Sequence, residues 1–374
     1  MLLACMLFVG SGRSEAAART YIDSDNHSSQ KALSAGKKKR VVVKRGTVRL
    51  ARSRTNGTLT SRVYRTSTRF DTLVPSWNAK TPGPTWITVK VRVHSGGRWT
   101  KWFNLGVWAS DNKPKKRRSV NGQRSGRWRV LTDTLQAKGP KFAKAYQYRV
   151  KLSSKKAGKS PRVRSLHVVS SNSYRHGRSL GVRKHRKAWG KVLGVPRRTQ
   201  MVYPQGEAWC SPTSMSMVTA YWAKKTGRSR LDQWPKSVAR GVRDYSYGWG
   251  NWSFNTAYAG SRGLDARVGR LGQIEQIESR IKRGIPVIAS ISWDNSKRRY
   301  RLSGAPLRRS NGHLLVVRGF TKSGNVIVND PAARKTSKVR RVYKRGQFER
   351  AWLRNGANRY KNYGTSGIVY LIKR

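Results

Sequence analysis

The stretch QGEAWCSPTSMSMV (205–218) holds Cys210, and the only other cysteine, Cys5, lies at the extreme N-terminus. A helix that begins beside Cys210 would direct the positive end of its dipole at the thiol, and this potential stabilises a thiolate. Ser211 suits the cap of such a helix, and Pro212 suits its first turn, where a missing N–H costs nothing. This pattern is typical of a reactive thiol rather than of a small buried side chain.

A cysteine nucleophile needs a histidine that holds its proton and a third polar group that orients the histidine. Among the six histidines, only His313 falls after residue 198, where it opens the apolar strand GHLLVVRGF. The short turn TKSGN leads into NVIVNDP, so the two segments predict a hairpin. Antiparallel pairing places His313, at the start of one strand, across from Asp330, at the end of the other. Either residue alone is more often structural, but here both accompany a solitary cysteine.

An acyl-transfer site also needs donors for a negatively charged oxygen. Gln205 lies five positions before Cys210 in an irregular Pro/Gly segment, and its amide would join the Cys210 backbone N–H in such a role. The order Gln205, Cys210, His313, Asp330 therefore predicts nucleophilic acyl chemistry. Because the sequence has no close cysteine or histidine pair and no phosphate-binding glycine loop, we expect no metal and no cofactor.

The elements that must position these side chains lie in 198–374, where helical and strand patterns are mixed. Met215, Val218 and Trp222 follow Cys210 at helical spacing. The stretch LGQIEQIESRIKRG places Ile274, Ile277 and Ile281 on one helical face and ends at Gly284, a natural helix stop. IPVIASISW, GHLLVVRGF, GNVIVNDP and GIVYLI have the composition of strands. A cysteine-bearing helix followed by such strands predicts an α+β domain.

Residues 46–172 show no helical stripe and predict an all-β sandwich domain. The clearest strand is WITVKVRV, in which apolar and polar residues alternate with a period of two; its apolar members are Ile87, Val89, Val91 and Val93. The tryptophans of this region either line a sugar-binding surface or pack in the core; they are Trp77, Trp86, Trp99, Trp102, Trp108 and Trp128. Residues 19–45 are expected to form a basic tether, and 173–197 an inter-domain linker.

The charge balance restricts the partners. The chain of 374 residues has 81 Lys and Arg against 15 Asp and Glu, a net charge of +66. Such a surface attracts polyanions. No zinc finger, recognition helix or RNA-binding strand motif is present, so specific nucleic-acid recognition is not expected. Two explanations of the charge remain: binding of anionic cell-wall polymers, or a general adaptation of the protein surface.

Residues 1–18 combine an apolar run with small residues near a cleavage point, which predicts a signal peptide. Its positively charged start is missing, so we expect a truncated leader; Cys5 is an alternative lipidation site. No other apolar run approaches the ~18 residues of a transmembrane helix. We therefore expect a secreted or cell-wall-associated protein, in which removal of the leader leaves Cys210 without a disulfide partner.

The segments PQGEAWCSPTSMSMV, GIPVIASISW, GHLLVVRGF and VNDP together resemble the bacterial peptidase family C39-like domain, a branch of the papain-like cysteine peptidase fold. The resemblance covers about 198–374. It implies that Cys210, His313 and Asp330 are catalytic and that Gln205 lies in the oxyanion hole. FDTLVPSWNAKTP and GRWTKWFNLGVWAS are similar to the N-terminal region of exported actinobacterial proteins of this group. The family usually has glycine where this sequence has Ser211.

Three functions are open at this point. The first is an exported cysteine peptidase that cuts peptide or peptidoglycan-peptide amide bonds through a Cys-His-Asp triad. The second is a non-catalytic wall- or polyanion-binding protein with a degenerate peptidase fold. The third is a transferase that uses the same acyl-enzyme. The aromatic stretch DYSYGWGNWSFNTAYAG (244–260) either forms a wall of the substrate groove or packs between the lobes.

Overall fold

A computed structural model describes most of the chain; its ranges are 21–111, 114–175, 186–354 and 366–374. The predicted signal peptide, the lipidation alternative at Cys5 and the centre of the predicted linker lie outside these ranges. No helix within them is long and apolar enough to cross a membrane. We call 21–175 the N-terminal β-region and the described residues from 186 onward the C-terminal region.

Two longer helices follow the predicted patterns. In the described ranges the α-helices are α1 Gln30–Ser34, α2 Cys210–Thr226, α3 Pro235–Val242, α4 Trp252–Ser261, α5 Glu275–Lys282 and α6 Arg345–Glu349. Met215, Val218 and Trp222 are buried on α2, as their spacing predicted. The isoleucines of α5 are buried as well, and Gly284 follows that helix with a left-handed φ of 77°.

The N-terminal β-region is built from short antiparallel strands. Their bounds are β1 Ile22–His27, β2 Lys37–Lys39, β3 Val41–Lys44, β4 Thr47–Leu50, β5 Asn56–Thr60, β6 Tyr64–Phe70, β7 Thr72–Lys80, β8 Thr85–Ser95, β9 Arg98–Trp99, β10 Phe103–Trp108, β11 Arg124–Ser125, β12 Trp128–Leu131, β13 Thr134–Ala137, β14 Ala143–Ser154 and β15 Arg162–Ser171. One sheet has the order β11-β12-β13-β7-β15-β4-β3, with β1 also paired to β15. Another has the order β10-β8-β14-β5-β2, with β6 beside β14 and β9 beside β8.

Side chains of both sheets meet in one hydrophobic core. The apolar residues that alternate along β8 are fully buried, while the intervening Thr88, Lys90 and Arg92 are only partly covered, as the period of two predicted. Three of the tryptophans, Trp77, Trp108 and Trp128, belong to this core. Arg92 instead stacks over the partly exposed rings of Trp99 and Trp102, at 4.6 and 4.8 Å from the ring centroids.

The prediction of a tether at 19–45 is wrong. β1 pairs along its whole length with β15, from Ile22 opposite Ser171 to His27 opposite Leu166. Leu33 of α1 and Val41 of β3 are buried in the core. The polar composition was misleading because an added edge strand is held mainly by backbone hydrogen bonds, which its side chains do not reveal.

The prediction of a linker at 173–197 is also wrong for its C-terminal part. Ala188, Leu193 and Val195 are buried. The backbone N–H of Leu193 donates to the carbonyl of Arg318 at 2.7 Å, so this segment lies along the C-terminal sheet. A few small apolar residues anchor it, and the surrounding basic residues conceal them in the composition.

The C-terminal region contains an antiparallel sheet in the order β16-β21-β17-β18-β19-β20. The bounds are β16 Asp265–Arg270, β17 Val287–Asp294, β18 Arg309–Phe320, β19 Val326–Asn329, β20 Arg340–Tyr343 and β21 Ile368–Lys373. β18 and β19 form the predicted hairpin, with Val316 opposite Asn329. β18 starts at Arg309, so His313 lies inside the strand rather than at its start. Helix α2 packs on this sheet, where Ser214 donates to the carbonyl of Leu314 at 2.9 Å.

The two regions adjoin at the open edge of the C-terminal sheet. The backbone N–H groups of Ala266 and Val268 on the edge strand β16 donate to side chains of β7, Asn78 Oδ1 at 3.2 Å and Ser76 Oγ at 3.1 Å. These contacts satisfy donors that an open edge would otherwise present to other chains. β7 of the N-terminal β-region thus lies against β16, the edge strand of the C-terminal sheet. The described chain is mostly β-sheet with some helices.

Candidate active site

Cys210 is the first residue of α2, and Trp209 occupies the cap position before it. The thiol is therefore at the positive end of a 17-residue helix, and the residue as a whole is partly exposed although its sulfur is shielded from water. The expectation that Ser211 caps the helix is wrong, because the helix already begins at Cys210 and Ser211 is its second residue. Ser211 is buried, and its Oγ shares a hydrogen bond of 2.8 Å with the hydroxyl of Tyr370 on β21.

The hairpin of β18 and β19 brings the predicted histidine and carboxylate together. His313 Nε2 lies 2.8 Å from Asp330 Oδ1, and both side chains are buried. The His313 ring also interacts with the thiol of Cys210, and this interaction shifts the pKa of both groups. The structure therefore joins Cys210, His313 and Asp330 in one continuous chain of polar contacts.

Asp330 is held by donors besides the histidine. The hydroxyl of Tyr343 on β20 donates to Asp330 Oδ2 at 2.7 Å, and the backbone N–H of Ala332 donates to Oδ1 at 3.1 Å. Sequence reasoning missed Tyr343, which is buried and lies 13 residues beyond Asp330 on the next strand of the sheet. Its role depends on the pairing of β19 with β20, and no local pattern indicates that pairing.

The pKa values of the thiol and the imidazole move in opposite directions. Burial alone would raise the pKa of the Cys210 thiol, but the hydrogen bond and charge of His313 outweigh it, so the pKa is lowered. Burial alone would lower the pKa of His313, but the Asp330 carboxylate and the Cys210 thiolate outweigh it and raise the pKa to about 10. Both shifts favour the thiolate and imidazolium forms of the pair.

Other groups stabilise the same charges. The backbone N–H groups of Ser211 and Leu314 also help to lower the pKa of Cys210. Burial opposes ionisation of Asp330, yet the charge of His313 and the hydrogen bonds above lower the pKa of that carboxyl. The edge of the buried Trp293 ring lies against His313, with centroids 5.5 Å apart and planes at 77°. This contact limits how far the imidazole can rotate.

Gln205 is not joined to this chain of contacts. Gln205 itself has a left-handed φ of 62°, and its exposed side chain makes no hydrogen bond to the described residues. Its assignment to the oxyanion hole stays a prediction.

Gln200, which the sequence analysis did not consider, contacts the segments that carry Cys210 and Asp330. It is 2% exposed, its Nε2 donates to the carbonyl of Glu207 at 3.0 Å, and its backbone N–H donates to the carbonyl of Pro331 at 2.9 Å. Gln200 thus lies between the segment that leads into Cys210 and the residue that follows Asp330. A search extended to ten positions before the cysteine would have included it.

The arrangement can perform acyl chemistry. The described ranges contain no group of three or more metal-ligating side chains, and Cys210 is a free thiol. A thiolate at a helix N-terminus, paired with an imidazolium that a buried carboxylate orients, is suited to attack an electrophilic carbon and to return a proton to the leaving group.

Comparison with solved structures gives only weak global similarity. A C39-like peptidase from Bacillus anthracis is 17% identical, with 49% of this chain and 98% of that chain covered and a TM-score of 0.34. The carbohydrate recognition domain of Emp46p is 12% identical, with coverages of 37% and 90% and a TM-score of 0.23. A family two carbohydrate esterase from Cellvibrio japonicus is 10% identical, with coverages of 40% and 34% and a TM-score of 0.19. No curated protein matches the sequence.

Family models are more informative. Residues 18–171 match the Peptidase C39 N-terminal domain, and residues 192–360 match the Peptidase C39 like family. These matches confirm the resemblance that the cysteine and histidine segments indicated, and between them they span most of the chain. The C-terminal region therefore matches the C39-like peptidase family, and the N-terminal β-region matches the actinobacterial N-terminal domain of C39 peptidases.

Proposed function

We propose that the protein is an exported cysteine peptidase that hydrolyses peptide or wall-peptide amide bonds through Cys210, His313 and Asp330. The match to a C39-like family supports peptidase chemistry. The observation that carries the assignment is the contact of a thiol at a helix N-terminus with a buried His–Asp pair 2.8 Å apart.

The chemistry follows from the protonation states. The Cys210 thiolate attacks the acyl carbon and forms a tetrahedral intermediate, and the His313 imidazolium then gives its proton to the leaving amine as the C–N bond breaks. His313, now neutral, removes a proton from water, which attacks the thioester; the acid leaves and the thiolate returns. Asp330 holds the imidazole in the tautomer and orientation that both steps need.

The oxyanion requires donors, and we propose the Cys210 backbone N–H with the amide of Gln200 or Gln205. An amide nitrogen has two N–H groups. Gln200 uses one of them on the carbonyl of Glu207, which leaves the second for a negatively charged oxygen. Its burial supports Gln200 over Gln205, because a preorganised donor stabilises a transition state more than a mobile one.

The finer fold assignment is part of this proposal. Placement of the cysteine on a helix and of the histidine and aspartate on the facing sheet supports a papain-like arrangement in the C-terminal region. The shared core of the two sheets formed by β1–β15 supports a β-sandwich before it. Export, or association with the cell wall, is supported by the predicted leader and by the net charge of +66.

The test is a digest of mixed peptide and peptidoglycan-peptide substrates by the wild type and by Cys210→Ala. We expect cleavage only by the wild type, with a covalent thioester trapped on Cys210 when a slowly hydrolysed substrate is used. Equal digests from both proteins would refute the proposal, and aminolysis products in the presence of added amines would show a transferase instead.

A second function, binding of an anionic wall polymer, is favoured by a cleft of about 590 Å³ between the two regions. Lys80, Arg162, Arg230 and Arg262 line it, with Asp111 as its acidic residue. In the ranges that the structure describes, none of these four cations forms an ion pair. Their uncompensated charge suits phosphodiester or carboxylate groups.

This function is tested with glycerol-phosphate polymer and the Cys210→Ala protein, in which catalysis is absent. Binding is expected to weaken with salt and to weaken further in Arg162→Gln/Arg230→Gln. The matched control is Arg298→Gln/Arg299→Gln, which removes two exposed cations outside the cleft. Equal losses in the two double variants would show attraction to the general surface charge and not to the cleft.

A further inference from the structure

An irregular loop from Asp244 to Gly250 carries aromatic side chains beside the proposed nucleophile. The Trp249 ring lies 5.9 Å from the ring of Trp209, the residue that directly precedes Cys210. Tyr247 lies two residues before Trp249 in the same loop, and its pKa is raised by burial of the hydroxyl and by the negative charges of Asp133 and Cys210. We call Tyr245, Tyr247 and Trp249 the aromatic wall.

The aromatic wall is ordered yet open to solvent. Tyr245 and Tyr247 are 44% and 57% exposed. The Arg243 guanidinium lies over the rings of Tyr245 and Trp249, at 4.8 and 5.6 Å from their centroids. Exposed aromatic rings held in one orientation are suited to bind a flat apolar group, because little conformational freedom is lost when the group stacks on them.

The start of this loop is fixed by the N-terminal β-region. The backbone N–H of Tyr245 donates to the carbonyl of Arg117, and the backbone N–H of Ser119 donates to Asp244 Oδ1, both at 3.0 Å. The buried guanidinium of Arg117 bridges the regions: it donates to the carbonyl of Ala109 at 2.8 Å and to that of Arg243 at 3.2 Å.

The end of the loop is fixed in the same way. The carboxylate of Asp133, from the turn between β12 and β13, accepts the backbone N–H of Trp252 at 2.6 Å, at the start of α4. Next to it, the hydroxyl of Ser253 donates to the carbonyl of Pro75 on β7 at 2.7 Å. Both ends of the loop are therefore held by residues of the N-terminal β-region.

We propose that the aromatic wall is a substrate subsite for a large apolar or aromatic side chain next to the scissile bond, and that the N-terminal β-region holds it in place. The N-terminal β-region is then part of the substrate-binding site rather than a separate attachment module. The proposal rests on the proposed peptidase function, since it assumes that the bond to be cut lies at Cys210.

Equilibrium binding separates the subsite from catalysis. The probes are two fluorescent peptides of Gly and Ser that differ only in a central Phe or Ala, and the protein is Cys210→Ala. We expect the Phe peptide to bind more tightly, and Tyr247→Ala in that background to weaken it by about three- to tenfold, the worth of one aromatic pair. The Ala peptide should change little. The matched control is Tyr174→Ala, which removes a tyrosine of similar exposure (56%) from the N-terminal β-region.

The role of the N-terminal β-region is tested by Arg117→Lys, which keeps the charge but loses the planar fork that bridges four carbonyls. We expect it to weaken binding of the Phe peptide as Tyr247→Ala does, while iodoacetamide still alkylates Cys210 at the wild-type rate in the variant that retains the thiol. Thermal unfolding checks that the variant is folded, and Tyr247→Ala, at the surface, tests the subsite even where Arg117→Lys is unstable.

Equal affinity of the two peptides for the Cys210→Ala protein, or equal losses in Tyr247→Ala and Tyr174→Ala, would overturn the subsite. Unchanged Phe-peptide binding in folded Arg117→Lys would overturn the part assigned to the N-terminal β-region. Failure of the peptidase function has a different signature, because the wild type would then cut neither peptide while the difference in binding persists.

Discussion

At the scale of single residues, the charge state of Cys210 is the property on which the proposed function depends. The interaction with His313 and its positive charge lower the pKa of Cys210, whereas burial of the thiol raises it. The thiol is consequently expected to remain ionised as the pH falls through the ordinary thiol range, and its reactivity provides a direct measure of the pair.

Iodoacetamide is expected to alkylate wild-type Cys210 at pH values below the ordinary thiol range of ~8.5, since the lowered pKa keeps more of the thiol ionised there. In His313→Ala, burial is no longer opposed by the imidazolium, so the pKa of Cys210 rises and the rate at about pH 7 falls by about tenfold or more. Mass spectrometry of the alkylated peptide gives the rate, and His94→Ala on β8 is the control. A pH profile that His313→Ala leaves unchanged would show that the two residues do not form an ion pair.

The two glutamines can be separated by kinetics. If Gln200 is the oxyanion donor, Gln200→Ala lowers kcat by about 10²- to 10³-fold with a smaller change in KM, because the lost interaction forms mainly in the transition state. Gln205→Ala, at an exposed turn, then changes kcat little. The opposite ranking would restore Gln205 to the oxyanion hole, and alkylation of Cys210 by iodoacetamide should be normal in both variants.

Tyr343 is expected to act as a positioning residue through Asp330. In Tyr343→Phe the carboxylate loses the donor that lowers its pKa and becomes a stronger acceptor for the imidazolium, so the pKa of His313 rises. The step in which neutral His313 activates water then shifts to higher pH, and kcat near neutrality falls by about tenfold. Tyr300→Phe is the control. A uniform loss of stability without a shift of the pH–rate profile would indicate a purely structural role.

At the scale of elements, local patterns predicted what local forces determine. The buried faces of α2 and α5 and the hairpin of β18 and β19 follow from spacing and turn chemistry, and the hairpin alone brings His313 to Asp330. The hydroxyl of Tyr343 was beyond prediction because its contact depends on the sheet order. The amide of Gln200 was missed because it lies in an irregular segment, farther from Cys210 than the glutamine that was considered. The strands within the supposed tether were missed because they pair with a sheet that exists only in the folded chain.

The irregular segment before α2 depends on the absence of one side chain. A Cβ on Gly206 would lie 1.9 Å from the carbonyl oxygen of Gln200, so Gly206→Ala must displace one of the two backbones. We expect a cost of about 1–3 kcal/mol in the free energy of unfolding and a fall in kcat at least as large as that of Gln200→Ala. Gly194→Ala is the control, since nothing lies within 4 Å of its Cβ. Wild-type stability and kcat in Gly206→Ala would show that this contact is not needed.

At the scale of the whole molecule, the interface explains how a chain of such high charge keeps its site rigid. Most of the 81 basic residues can remain solvated, while Arg117 and Arg270 are nearly fully buried between the two regions. Arg117 donates to backbone carbonyls of both regions, and Arg270 donates to the hydroxyl of Thr72 at 3.3 Å. These guanidinium groups donate to neutral acceptors and so hold the two regions together.

The joint core has a consequence for how the molecule melts. Trp77 of β7 and Phe254 of α4 belong to the same hydrophobic cluster, with ring centroids 6.0 Å apart, so unfolding of either region would expose apolar surface of the other to water. Differential scanning calorimetry should therefore record a single endotherm whose calorimetric and van 't Hoff enthalpies agree. Two resolved endotherms would contradict this expectation. A single endotherm would mean that the two regions unfold together, so that a destabilising substitution at the interface lowers the melting temperature of the candidate active site as well.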